Sequence, residues 1–203
     1  DSPSSGADAP GGTPMSAAAA ASTRPTIITR AQWGADESRR SGAVALAPAI
    51  KVGFLHHTAG WTSYTQAESY EFVRSLYDWY TTPAAQGGPG YGDIAYNFLV
   101  DRFGRIFEGR AGGVDKPVVG QHTVGFDRGS VGVAVMGDFD ANPLPAATAA
   151  AIVDSTARIM AWKLSTYGRD PLGSVALTSD SGSSTSKYPR GTTATVPVDR
   201  KST

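Results

Sequence analysis

Cysteine is absent from the 203 residues, so the chain has no disulfide, no thiolate metal ligand and no thiol nucleophile. That absence does not by itself locate the protein. Histidine is scarce, and His56, His57 and His122 are the full set. A catalytic zinc usually takes three protein ligands and keeps a fourth position for water, so without thiolate it must draw on these imidazoles and on carboxylates. Net charge is missing as well: Lys plus Arg equals Asp plus Glu at 18 each. This balance gives no electrostatic reason to expect nucleic acid or an anionic membrane as partner. No run approaches the roughly 20 apolar residues of a membrane span. No phosphate-cradling glycine motif occurs, and Ser130, in Gly129-Ser130-Val131-Gly132, lacks nucleophile-elbow spacing. Paired carboxylates for glycoside cleavage can be chosen freely from 18 acids, so choosing them carries no weight.

The length that is present suits one well-buried domain. Residues 1–25 are mostly Ala, Gly, Ser, Pro and Thr, with Met15 as the one large apolar residue, and they cannot offset their ordering entropy by burial. They read as a disordered tail, with a domain over residues 26–203. A chain opening at Asp1 in this way reads as a secreted, extracellular protein after signal removal. Lys51 to Leu55 reads as a buried strand ending at His56-His57. Ser63 and Gln66 make a capping-box pair ahead of a helix with Ala67, Tyr70, Val73, Leu76, Tyr77 and Tyr80 at helical spacing. Pro83 to Gly90 is a loop. Val131 to Met136 is an interior strand, and Ala146 to Tyr167 a helix with Val153, Ala157, Met160, Ala161 and Leu164 on one face, introduced by Pro143 and Pro145 and stopped by Gly168. Thr178 to Ser186 is a loop and Ala194 to Val198 a last short strand. Strands alternating with helices predict an α/β class with a central mixed β-sheet flanked by helices.

The centre of this plan is Gly92 to Arg110. Ile94, Tyr96, Phe98 and Val100 alternate with Ala95, Asn97 and Leu99, as in a strand. Asp101-Arg102-Phe103-Gly104 has turn chemistry, and a second strand follows over Arg105 to Phe107. Tyr96 is then a polar group on a rigid mount, with Glu108 and Arg110 behind the second strand. His56 and His57, adjacent on an extended segment, point to opposite faces and do not easily serve one metal. Counting leaves at most two histidines and a carboxylate, with Asp127, Asp138 or Glu108 as candidates.

Four ordered segments say more. His56-His57-Thr58-Ala59, Gly92 to Val100, Gly104 to Arg110, and Gly120-Gln121-His122-Thr123 followed by Ser130 to Val133 resemble the motifs of peptidoglycan recognition proteins and the N-acetylmuramoyl-L-alanine amidases called type 2 amidases. The Ala/Gly-rich start and Ala111-Gly112-Gly113-Val114-Asp115 resemble secreted actinobacterial members. The resemblance implies a groove holding the muramyl glycan-peptide of peptidoglycan and, in active members, zinc-dependent cleavage of the amide between the lactyl group and L-alanine. It implies that His56 is the first zinc ligand and Tyr96 the catalytic tyrosine aimed at the scissile carbonyl. His122 matches a groove-lining, substrate-binding histidine. Arg110 and Glu108 match a pair near the groove floor, read here as a structural ion pair with a substrate role for Arg110 as the alternative. His57 and Trp61 are further substrate-contact candidates, while Trp33, Trp79 and Trp162 read as core and loop anchors.

The chain departs from the family pattern late. The family's remaining ligands come from a Gly-His-Arg-Asp segment and then a Cys or Asp near Cys-Pro-Gly, whereas here Lys187 to Val198 runs into Asp199-Arg200-Lys201-Ser202-Thr203. Two of three zinc ligands have no match, so the domain reads as C-terminally incomplete relative to the family. Three functions stay open: a zinc amidase, a metal-free peptidoglycan-binding module or pseudoenzyme, and a secreted protein acting through a protein partner as inhibitor or cross-linking substrate.

Overall fold

The computed structural model describes residues 22–139 and 144–201. The expectations for residues 1–21 and for Pro143 lie outside the described residues. Arg24, within the expected tail, is ion-paired with Asp115 at 3.1 Å, and the Ser22 amide donates to Ser165 Oγ.

Six strands form the main sheet in the order β1 (Ile27–Ile28), β4 (Ile106–Glu108), β3 (Phe98–Val100), β5 (Ser130–Val135), β2 (Val52–His57) and β8 (Asp199–Lys201). Only the β3–β4 pair is antiparallel, so the sheet is mixed, as expected. β6 (Ser174–Thr178) and β7 (Thr193–Pro197) make a separate antiparallel hairpin. β6 falls outside the expected strands although Val175 and Leu177 alternate with Ser174, Ala176 and Thr178, and of these residues only Leu177 is buried. β8 has no such pattern. Its residues 199–201 pair with 53–55 of β2.

Among the described residues the α-helices are α1 (Arg30–Trp33), α2 (Glu68–Thr81) and α3 (Ala146–Thr166). Among the described residues no helix is long and apolar enough to cross a membrane. α3 packs on one sheet face through Ile159, Met160 and Leu164 against Phe98, Val100, Ile106, Val131 and Val133. Gly53 of β2 admits this helix, since a β-carbon there would lie 2.3 Å from the Met160 sulfur. Val153, expected on the buried face, is 65% exposed; Ile152, Ser155 and Thr156 turn inward instead. α2 covers the other face through Phe72, Val73 and Tyr77 against Leu99, Phe107, Ala134 and Met136. Its capping box is Thr65 with Glu68 rather than Ser63 with Gln66: the Thr65 amide donates to the Glu68 carboxylate and the Glu68 amide to Thr65 Oγ1. On that same face, beyond α2, Phe126, Leu177 and Val196 cover Val52 and Phe54 of β2.

The central hairpin turns as expected. Asp101 Oδ1 accepts from the amides of Phe103 and Arg105, and Gly104 takes φ 77°. The strand before it is shorter than the alternation implies. Residues 94–97 are not strand, and the alternation does not carry through them: Phe98 and Val100 face α3, while Ile94, Ala95 and Tyr96 pack with the α2-side core. Asn97 is the reason. Its Oδ1 accepts from the Gly132 amide at 2.8 Å, its own amide donates to the Gly132 carbonyl, and its Nδ2 donates to the Val118 carbonyl at 2.9 Å. A side chain takes one ladder bond, so the regular pairing starts only at Phe98.

Candidate functional site

The site lies on the α2-side face of the sheet, between the C-terminal end of α2 and the layer formed by Phe126 and the β6–β7 hairpin. Strand alternation puts His56 on the face of Val52 and Phe54, and puts His57 on the face of Leu55, toward α3. The His56 ring meets Phe54, Tyr96 and His122, with centroids 6.4, 5.3 and 5.0 Å away. His57 lies outside these ring contacts, on the opposite face of the sheet.

His122 arrives on the loop before β5, and two glycines make its seat. A β-carbon at either Gly120 or Gly132 would come within 2.4 Å of His122 Cδ2. The loop is pinned by Asp127, whose Oδ1 accepts from the amides of His122 and Thr123 at 2.7 and 2.8 Å. His122 Nδ1 lies 3.1 Å from His56 Nε2 and 3.0 Å from Thr123 Oγ1, and its Nε2 is 3.4 Å from Ser130 Oγ. Tyr96 is mounted by loops rather than by a ladder: its carbonyl accepts from the Arg110 amide, and the neighbouring Ala95 carbonyl from the Gln121 amide. Buried Arg30 ties these loops down, bonding Asp93 at 3.0 Å, Glu37 and the Gly109 carbonyl, while Asp93 accepts from the Ile94 and Ala111 amides.

Burial sets the charges. It lowers His56 to about 4, helped by the neighbouring charge of His57, and lowers the fully buried His122 well below the usual imidazole value, with His56 and Arg110 adding to the effect. Both rings are neutral at pH 7. Burial raises Tyr96, an effect partly opposed by the Tyr80 hydroxyl, so the phenol keeps its proton. Burial also lifts Asp127 to about 6, against the two amide bonds it accepts. At pH 7 the His56, His122 and Tyr96 side chains are thus neutral, while Asp127 is mostly ionised.

Arg110 does not pair with Glu108. Its Nη1 donates to the Ile94 carbonyl at 3.0 Å and to Gln121 Oε1 at 2.9 Å, while Glu108 accepts from the Arg30 amide. The expected ion pair is therefore replaced by two separate anchors, because Arg30 and α1 claim the carboxylate. Trp61 is 51% exposed and packs on Phe72, apart from the histidines. Trp33 and Trp162 are buried anchors as expected, but Trp79 is 53% exposed and lies edge-on to Tyr80. The sequence pattern does not mark Tyr80 and Tyr91 as site residues, yet Tyr80 stands edge-on to Tyr96 at 6.2 Å and stacks with Tyr91 at 5.7 Å. Within the helical pattern Tyr80 is simply another core position.

Residues 47–184, about two thirds of the chain, match the family model described as N-acetylmuramoyl-L-alanine amidase. The chain belongs to this family. Among curated relatives it is 34% identical over 121 residues to peptidoglycan-recognition protein 1 of Holotrichia diomphalia, covering 60% of this chain and 55% of that protein. It is 27% identical over 122 residues to peptidoglycan-recognition protein SC2 of Drosophila simulans, covering 60% of each. The chain thus spans 60% or less of the length of these two relatives. Among solved structures, peptidoglycan recognition protein LE in complex with tracheal cytotoxin, a monomeric diaminopimelic acid-type peptidoglycan, superposes with TM-score 0.55 at 29% identity, covering 71% of this chain and 76% of that one. Drosophila PGRP-LB superposes with TM-score 0.58 at 23% identity, covering 72% and 78%, which shows the shared fold.

The family implies zinc, and the described residues do not make a zinc set. His56 and His122 meet each other nitrogen to nitrogen. Asp127, the nearest carboxylate, is 4.0 Å from His122 Nε2 and spends Oδ1 on two backbone amides. Glu108 is engaged at α1, and no three His, Asp or Glu side chains gather as a metal site among the described residues. Two imidazoles alone fall short of the three protein ligands a zinc site takes.

Proposed function

We propose that this site binds the muramyl-peptide part of peptidoglycan, with His56 and Tyr96 as its contact surface, Arg110 holding the wall, and His122, expected from the sequence to touch substrate, buried behind His56 with no exposed side-chain surface. The observation that carries the proposal is the neutral His56–His122 pair beside a protonated Tyr96. Acetamido, lactyl and peptide groups are rich in uncharged donors and acceptors, and a site with a few convergent neutral polar groups suits them. Family membership and the cytotoxin-bound relative support the same ligand class. On this reading the chain works outside the cytoplasmic membrane, where peptidoglycan lies.

The proposal takes no catalytic step through a metal, because the described ligands do not fit one. A second reading, cleavage of the N-acetylmuramoyl-L-alanine amide, is favoured by one observation: Tyr96 is a neutral phenol against His56, able to donate to a developing oxyanion, a role worth a few kcal/mol in general. Purified chain incubated with insoluble peptidoglycan separates these readings. Retention on the pellet without release of peptide stems supports binding alone. Release that is slowed by Tyr96→Phe supports cleavage. A chain that neither binds nor releases is left with the protein-partner reading.

A further inference from the structure

Three hydrogen bonds run in series from the backbone into the groove, and the protons they need determine which nitrogen of each ring carries hydrogen. Ser130, fully buried at the start of β5, has one hydroxyl proton and two polar neighbours, the Asp127 carbonyl at 2.9 Å and His122 Nε2 at 3.4 Å. A carbonyl only accepts, and it is the closer partner, so it takes the serine proton. Ser130 Oγ is then an acceptor, which requires His122 Nε2 to be the protonated nitrogen. The Asp127 carboxylate, 4.0 Å from that nitrogen, favours the proton there too.

His122 Nδ1 therefore bears the lone pair. His56 Nε2 at 3.1 Å and Thr123 Oγ1 at 3.0 Å both approach it, and the His56 contact is attractive only if His56 Nε2 carries a proton. His56 Nδ1 is then bare. It has no partner among the described residues, yet it is not sealed in, since the one sealed and unpartnered side-chain polar atom among them is Arg169 Nε. Solvent or ligand reaches it.

We propose that Ser130 and His122 are positioning residues that lock His56 as its Nε2–H tautomer, so that His56 offers the groove a lone pair at Nδ1 and selects ligand groups that donate a hydrogen bond, an amide N–H or a hydroxyl, over carboxylates. The second-neighbour bond fixes the tautomer, as it does for histidines in many functional sites. The inference needs no ligand for its test, so its failure is separate from failure of the proposed peptidoglycan binding.

The test is nitrogen NMR of histidine-labelled protein at one neutral pH, with His57→Asn to assign the third ring. The expected pattern is protonated Nε2 and bare Nδ1 on both His56 and His122, and Ser130→Ala is expected to move both rings to mixed tautomers. Thr123→Val, which removes the hydroxyl on the other side, is expected to keep the wild-type pattern. A protonated His56 Nδ1 in the wild type overturns the proposal, as does redistribution by Thr123→Val. A folded Ser130→Ala chain with an unchanged pattern also overturns it; should that variant not fold, the wild-type and Thr123→Val spectra decide.

Discussion

His122 rests on Gly132: a β-carbon at Gly132 would come within 2.4 Å of the His122 Cδ2 and 2.5 Å of its Cγ. The glycine is in the central strand, where the backbone needs no glycine conformation, so its lack of a side chain serves the neighbouring ring. Gly132→Ala is expected to push His122 off His56. Overpacking of this kind costs about 1–3 kcal/mol. Urea denaturation with a lowered midpoint, together with loss of the His56–His122 contact in NMR, checks it.

Asn97 stands in for a strand residue and satisfies Gly132 and Val118 at once. Asn97→Leu leaves a buried amide and a buried carbonyl without partners, at about 1–3 kcal/mol for each group. Asn97→Asp keeps the acceptor toward Gly132 but loses the donor toward Val118, so its loss of stability is expected to be real too. Ranking both variants against wild type by urea midpoint tests the assignment.

Lys163 gives a pH signature with a definite sign. Its ammonium, buried under α3, donates to the Val114 and Lys116 carbonyls at 2.8 and 3.0 Å and lies 5.0 Å from the Trp162 ring centre. Burial lowers it to about 8, with Asp115 opposing. Between about pH 8 and the ordinary lysine value the unfolded chain holds a proton that the folded chain has released, so unfolding free energy rises with pH there. Tyr64 and Tyr80, both raised by burial, pull the other way once tyrosines in the unfolded chain ionise near pH 10. Stability measured from pH 7.5 to 9.5 is expected to climb, and Lys163→Met is expected to flatten the climb while lowering stability at pH 7 through the two orphaned carbonyls.

The sequence and the folded chain agree where a pattern had a single physical reading. The run Val131 to Met136 is apolar on both faces because it lies between two parallel neighbours, and the Asp101 to Gly104 turn follows from one carboxylate and one positive φ. Agreement fails where a long-range polar bond replaces a local one. Asn97 breaks the alternation expected to mount Tyr96 on a strand, and Arg30 takes the carboxylate expected to pair with Arg110. The seat of His122 was not legible either, since a glycine within an apolar run gives no sign of which side chain it makes room for.

Tyr96 and His56 carry the ligand reading. Tyr96→Phe removes one hydroxyl from a partly buried ring and is expected to leave the fold unchanged, weakening muramyl-peptide binding by about 1 kcal/mol if it supplies one neutral hydrogen bond. Equilibrium dialysis of a soluble muramyl peptide against both proteins reads that difference.

The central claim is tested most directly by calorimetric titration of a soluble muramyl tripeptide into the wild-type chain and into a folded His56→Ala, Tyr96→Phe double variant. The account predicts saturable binding to the wild type with one site per chain and at least about a tenfold loss in the variant, or roughly 1.4 kcal/mol. Equal affinity in both, or no binding to the wild type, would contradict it.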